Sequence, residues 1–276
     1  MIEKVAFLAL TDSSFNQEEL MLRFFCEQHK DKYSLYIHNK NPIANEFFKS
    51  HCLPEDGKVE TEWGVYSLVL ATIKLMEAAL KDPNNQRFVL ISESHVPLYN
   101  IETMCLILIN KFPCLSFSNQ EREQGWAHNR FRSLMLNNQR QIFQPKDIRF
   151  VSQWFVCNRE DAEVFVKNEG KFRKLIDTKK LCFPDELYFH LIGSYLGRPI
   201  QYKANCHFNW YLKSSKRMID LKCREAPKTY ERISKNFIDI LRNTTDCIFV
   251  RKACAETQID VEYILNGCQT DKQTDR

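Results

Sequence analysis

The chain has 276 residues, of which 44% are hydrophobic and 27% are charged. This composition excludes an intrinsically disordered chain, and the length suits one large domain or two small ones. Lys and Arg outnumber Asp and Glu by only 39 to 35, a charge balance that disfavours a nucleic-acid-binding surface. No apolar run reaches the ~18 residues of a membrane helix, and the first residues lack the apolar core of a signal peptide. We therefore expect a cytoplasmic protein without a transmembrane segment or a nucleic-acid partner.

Eleven cysteines are spread from Cys26 to Cys268, and no two of them form a Cys-x-x-Cys pair. The odd number and the scattered spacing favour reduced, buried thiols over the disulfide framework of a small secreted domain. The group formed by Cys182, Cys206, His207 and Cys223 matches no compact zinc-binding spacing. The cysteines therefore predict a reducing compartment and no metal site.

Strand and helix patterns alternate along the chain. In chain order they predict a strand at 5–10, a helix at 16–29, a strand at 33–38, a helix at 66–80, a strand at 88–91, a helix at 101–110, a strand at 114–117, a long loop or lid at 118–147, a strand at 154–157, helices at 161–172, 184–195 and 237–241, and a strand at 248–250. Such alternation predicts an α/β fold, with a mostly parallel central sheet flanked by helices. Few glycines and prolines and no linker predict a single domain over residues 1–266, and the polar residues 267–276 are expected to form a flexible tail.

Several motifs of nucleotide and metal chemistry are absent from the sequence. It contains no phosphate-binding loop, no dinucleotide-binding glycine fingerprint and no His-Glu-x-x-His helix, which excludes P-loop NTPases, ordinary dinucleotide enzymes and zincins. It also lacks an Asp-x-Asp pair, a common carboxylate arrangement for holding a divalent ion on a nucleotide diphosphate. A diphosphate bound to this chain would therefore be neutralised by side-chain cations.

Seven segments carry a family resemblance, in the order in which the family has them, at residues 4–11, 33–38, 63–64 with 67–69, 87–98, 152–156 with 158–159, 184–186 and 249–252. Together they resemble the core-2/I-branching glycosyltransferases, a family that includes β-1,6-N-acetylglucosaminyltransferases, xylosyltransferases and related plant proteins. The resemblance implies a glycosyltransferase catalytic domain with the GT-A type of fold. It also implies transfer of a sugar, with GlcNAc or xylose expected, from a UDP-sugar to a hydroxyl of a glycan or glycosylated acceptor. The implied reaction is inverting and requires neither a metal nor another cofactor.

The resemblance also implies a general base. Pro184, Asp185 and Glu186 match the motif that carries the family's catalytic glutamate, so Glu186 is the candidate that deprotonates the acceptor hydroxyl. A positioned base contributes typically ~100 to 10,000-fold to such a step. The alternative is structural, because acidic residues at a helix start also stabilise the helix dipole.

The cations for the donor diphosphate follow from the same resemblance. Lys252 matches the lysine of the family's Arg-Lys pair, which contacts the diphosphate. For a second cation the sequence departs from the family pattern, and Arg224 and Lys228 both qualify, with Lys228 preferred. A solvated surface lysine is the alternative for Lys228.

The remaining candidates line the nucleotide, the donor sugar and the acceptor. His38 and Trp63 match the nucleotide-binding positions, where Trp63 would stack on uracil. The candidates for contacts with the donor sugar or the acceptor are Ser92, Glu93, His95, Arg130, Trp154 and Trp210, the two tryptophans as an apolar floor beneath a sugar ring. Ordinary packing is the alternative for each aromatic residue and histidine.

Two other classes of function stay open at this point. The first is a non-catalytic carbohydrate-binding or assembly protein that retains the transferase fold. The second is a cysteine-based hydrolase, for which thiols and histidines are available but no motif joins them.

Overall fold

The structure is a computed structural model that describes residues 3–119, 143, 149, 151–175, 183–208 and 229–266. Its central sheet has six strands in the order β2-β1-β3-β6-β5-β7. These strands are β1 Lys4–Thr11, β2 Tyr33–Asn39, β3 Asn85–Ser92, β5 Leu115–Asn119, β6 Val151–Asn158 and β7 Ile200–Gln201. All run in one direction except β6, which is antiparallel to β3 and β5. The predicted α/β class with a mostly parallel sheet is confirmed.

Helices cover both faces of this sheet. The α-helices are α1 Glu18–Phe24, α2 Glu46–Ser50, α3 Ser67–Ala79, α4 Ile101–Lys111, α5 Arg159–Leu175, α6 Tyr188–Tyr195, α7 Lys235–Thr244 and α8 Val261–Leu265. Alternate residues of β1 face the two sides: Ala6 and Leu8 pack towards α3 and α5, whereas Val5 and Phe7 pack towards α1 and α4. Burial on both faces explains why β1 is a continuous apolar run rather than an alternating one.

A smaller sheet joins the central one beyond the end of β3. It contains β4 Val96–Pro97, β8 Cys206–Phe208 and β10 Phe249–Arg251, with β10 in the middle, antiparallel to β4 and parallel to β8. A separate pair is formed by β9 Arg232–Ile233 and β11 Gln258–Ile259. Because β4 begins only four residues after β3 ends, the small sheet brings β10 next to the carboxyl end of β3.

Two predicted helices are divided in the structure. The helix predicted over 16–29 is α1 followed by a 3-10 turn at Glu27–His29, because Phe24 and Phe25 are both fully buried in one aromatic cluster and the chain leaves the helix between them. The helix predicted over 184–195 is a 3-10 turn at Pro184–Glu186 followed by α6, with Leu187 outside helical geometry. Most of the predicted loop at 118–147 and the predicted tail at 267–276 lie outside the described residues.

Candidate active site

Three parallel strands end side by side at one edge of the central sheet. Leu10 of β1 is in register with His38 of β2 on one side and with Ser92 of β3 on the other. Polar residues follow each of these positions, including Asp12 after β1 and Glu93 after β3. In open α/β sheets, ligands bind at the carboxyl ends of the strands. This edge is therefore the candidate site.

A loop over residues 58–66 extends from the end of β2 to the turn that carries Glu186. The Val59 N–H donates a hydrogen bond to His38 Nε2 at 3.1 Å, and burial lowers the pKa of His38. Further along, the Phe183 N–H donates to Gly64 O at 3.1 Å, and the Trp63 ring meets the Phe183 ring edge-on with centroids 4.8 Å apart. The loop thus holds both predicted nucleotide-binding residues at this edge. His38 is buried, whereas Trp63 is 69% exposed.

Glu186 closes the 3-10 turn Pro184–Glu186, which packs against α3 and β6. Pro184 and Asp185 are buried in this turn, and the Glu186 side chain is half-buried. The negative charge of Glu186 acts on Arg251, where it opposes the lowering of the arginine pKa by burial. The candidate base and the Arg251-Lys252 pair therefore share one site, although the chain separates them by more than 60 residues.

Backbone hydrogen bonds fix Lys252 next to Glu93. The Ala253 N–H donates to Ser94 O at 3.0 Å, the Asn16 side-chain amide donates to Ala253 O at 2.8 Å, and the Asn16 N–H donates to Glu93 O at 2.9 Å. Burial raises the pKa of Glu93, and the positive charges of Arg251 and Lys252 oppose this shift. Burial and the charge of Arg251 lower the pKa of Lys252, and Glu93 opposes that shift. The site thus combines two cations with two carboxylates.

Three of the predicted sugar contacts are almost inaccessible. Ser92 is buried, His95 is 1% exposed and Trp154 is 5% exposed. The Ser92 N–H donates to His95 Nδ1 at 2.9 Å, and the guanidinium carbon of Arg251 lies 4.7 Å from the centre of the Trp154 ring. The structure therefore brings these side chains to the site but beneath Arg251. Their direct contact with a sugar stays a prediction.

Four predicted site residues, Arg130, Trp210, Arg224 and Lys228, lie outside the described residues. The structure also places two residues at the site that were assigned no role from the sequence, Arg251 and Ser94. Both belong to segments that carry the family resemblance, so a signal was present.

The eight cysteines in the described part of the chain are free thiols. Burial raises the pKa of Cys105 to about 12 and raises the pKa values of Cys157 and Cys206 well above the usual thiol value. A thiol needs its anionic form to act as a nucleophile, so these buried cysteines do not support a cysteine-based hydrolase.

Within the described ranges, no three His, Cys, Asp or Glu side chains are grouped as metal ligands, and no helix combines the length and the apolar character that a bilayer crossing requires.

An open α/β sheet that gathers acidic and basic side chains at its carboxyl edge has the arrangement expected of an enzyme acting on an anionic ligand. Residues 5–242 match the model of the core-2/I-branching enzyme family, so the chain belongs to this family. It is also 25% identical over 245 residues to glycosyltransferase BC10 of Oryza sativa subsp. japonica, an alignment that covers 77% of this chain and 59% of that protein. The chain thus spans less than two thirds of the length of this relative. The family predicted from the sequence is confirmed, and with it membership of a glycosyltransferase family.

Proposed function

We propose that this protein is a metal-independent, inverting glycosyltransferase that moves a sugar, GlcNAc or xylose, from a UDP-sugar to a hydroxyl of a glycan or glycosylated acceptor. The family and the named relative support the general class. The observation that supports the specific proposal is the charge interaction of Glu186 with Arg251, whose chain neighbour Lys252 interacts in turn with Glu93. The expected location is the cytoplasm.

In the proposed reaction, Glu186 accepts the proton of the acceptor hydroxyl as the hydroxyl oxygen attacks the anomeric carbon. The bond between this carbon and the diphosphate oxygen breaks on the opposite side, so the configuration inverts and UDP leaves with the electron pair. Negative charge grows on the diphosphate during this step, and Lys252 stabilises it together with Lys228 or Arg224. The base accounts for typically ~100 to 10,000-fold of the rate.

The two ends of the site suit the two substrates. The ring of Trp63 is exposed and is proposed to stack on uracil, and His38 lies at the end of strand β2. The Glu93 carboxylate lies near both cations and is proposed to accept hydrogen bonds from sugar hydroxyls. Arg130, Trp154 and Trp210 are the further candidates for acceptor contacts.

The decisive experiment compares the parent protein with Glu186→Gln in an assay of UDP release from a panel of UDP-sugars. We expect Glu186→Gln to bind UDP like the parent and to lose ~100-fold or more of the turnover. Glu163→Gln is the matched control, because Glu163 lies on the outer face of α5, where it pairs with Arg159. Turnover by Glu186→Gln at the parent rate would show that Glu186 is not the base.

The same panel separates the proposed enzyme from a non-catalytic carbohydrate-binding protein. The parent should release UDP in the presence of an acceptor, and slowly by hydrolysis without one. Glycan binding with no UDP release from any donor would favour the binding protein. Adding EDTA tests metal independence: activity should persist, and a loss that manganese restores would contradict this part of the proposal.

A further inference from the structure

Arg251 is held from two sides by buried groups. Its Nε–H lies within hydrogen-bonding distance of two hydroxyl oxygens, Ser92 Oγ at 3.2 Å and Ser94 Oγ at 3.1 Å. Its guanidinium group also lies over the ring of Trp154, with 4.7 Å between the guanidinium carbon and the ring centre. The hydrogen bonds and the cation–π contact together fix the plane of the guanidinium group.

A buried histidine orients the serine that holds Arg251. Burial and the positive charge of Arg251 keep the pKa of His95 well below its usual value, so this ring is neutral. His95 Nδ1 accepts a hydrogen bond from the Ser92 N–H at 2.9 Å and lies 2.9 Å from Ser92 Oγ. Since Nδ1 is an acceptor, the Ser92 hydroxyl donates its proton there. The lone pairs of Ser92 Oγ then remain available to the Arg251 Nε–H.

The outer end of Arg251 has no such partners within the described residues. The hydrogen bonds of its side chain to these residues all come from Nε, and Glu93 and Glu186 act on it through their charges without a hydrogen bond. Burial lowers the arginine pKa, while the charges of Glu93 and Glu186 act in the opposite direction. Arg251 stays partly exposed, and its terminal nitrogens are not among the fully buried side-chain atoms of the described residues that lack a hydrogen-bond partner, so they can reach a bound anion.

We infer that Arg251 is a further cation of the donor site and binds oxygens of the diphosphate through its two terminal nitrogens. Ser92, Ser94 and His95 then act as positioning residues for Arg251, a role that replaces the predicted sugar contacts of Ser92 and His95. This inference rests on the proposed function. A diphosphate is the ligand that fits, because Arg251 and Lys252 are adjacent cations and a planar guanidinium can donate to two phosphate oxygens at once.

The test compares binding of UDP with binding of uridine, which has the same base and ribose but no phosphate. UDP is titrated by calorimetry and uridine is measured by ligand-observed NMR, for the parent, Arg251→Ala, Arg251→Lys and the control Arg23→Ala. Arg23 is an exposed arginine that pairs with Glu262. We expect Arg251→Ala to weaken UDP binding by ~10-fold or more with unchanged uridine binding, and Arg251→Lys to show a smaller loss. Arg23→Ala should match the parent.

Ser94→Ala provides a second variant that keeps the guanidinium group and removes one of its two hydroxyl partners. It should weaken UDP binding several-fold and leave uridine binding and the melting temperature near the parent values, so it tests the inference even where Arg251→Ala fails to fold. Unchanged UDP affinity in Arg251→Ala, or in Ser94→Ala, would overturn the inference while leaving the proposed transferase intact. Equal losses of UDP and uridine would show a structural role only. A parent protein that binds no UDP would overturn both.

Discussion

Replacing Lys252 by alanine removes a cation that the proposed reaction needs. Its ammonium group makes no hydrogen bond or ion pair with the described residues, and burial lowers its pKa. The free protein therefore loses little when this group is removed. With UDP bound, the variant lacks a charge-assisted hydrogen bond, which is worth ~1.5–3 kcal/mol. Since ~1.4 kcal/mol corresponds to a factor of ten, we expect the dissociation constant for UDP to rise about 10- to 100-fold.

Calorimetric titration with UDP measures this change, and thermal unfolding shows whether the variant keeps the parent stability. Lys49→Ala is the matched control, because Lys49 is an exposed lysine on α2 that pairs with Glu46. The parent should also bind UDP less tightly as the pH rises through the lowered pKa of Lys252, because the ammonium group is charged only below this value. An unchanged dissociation constant in a folded Lys252→Ala protein would remove Lys252 from the donor site.

Two further predictions concern stability. His95 stays neutral in the folded protein, whereas in the unfolded chain it takes up a proton below about pH 6.5. Protonation of His95 in the unfolded chain therefore lowers the free energy of unfolding by up to ~1.4 kcal/mol for each pH unit below this value. His95→Asn should flatten the pH dependence measured by urea unfolding, and an unchanged slope would refute this. Gly193→Ala should destabilise by ~1–3 kcal/mol, because the new Cβ would lie 2.5 Å from the buried Leu115 side chain. Gly170→Ala, with nothing within 4 Å of its new Cβ, should instead stabilise by up to ~1 kcal/mol, and the same response from both would contradict the packing argument.

The sequence was most informative about the central sheet. The apolar runs around Phe7, Ile37 and Leu90 predict three strands that the structure contains, because strands buried on both faces must be continuously hydrophobic. The direction of β6 could not be predicted in this way, since its apolar pattern is the same for parallel and antiparallel pairing. Among the strands of two or three residues, only β10 was predicted, at 248–250, and the others were missed because so few residues show no periodicity.

Predicting the candidate site depended on the family resemblance. Neither periodicity nor composition connects Glu186 with Arg251, since these residues are far apart in the chain and meet only through packing. The burial of the predicted sugar contacts could not be predicted from the sequence. A polar run directly after a strand suggests ligand contacts, yet Ser92 bonds to His95 and accepts a hydrogen bond from Arg251. Arg251 lies 159 positions further along the chain, so no local sequence pattern shows that it is the partner.

The hydrogen bond from the Asn16 side-chain amide to Ala253 O joins residues that are 237 positions apart in the chain. Contacts of such long range slow folding, because closing the intervening loop costs entropy before the contact contributes. During synthesis, the half of the site built on β1, β2 and β3 leaves the ribosome well before Arg251 and Lys252. A nascent chain that ends before this segment therefore has the acidic side chains of the site without the adjacent cations.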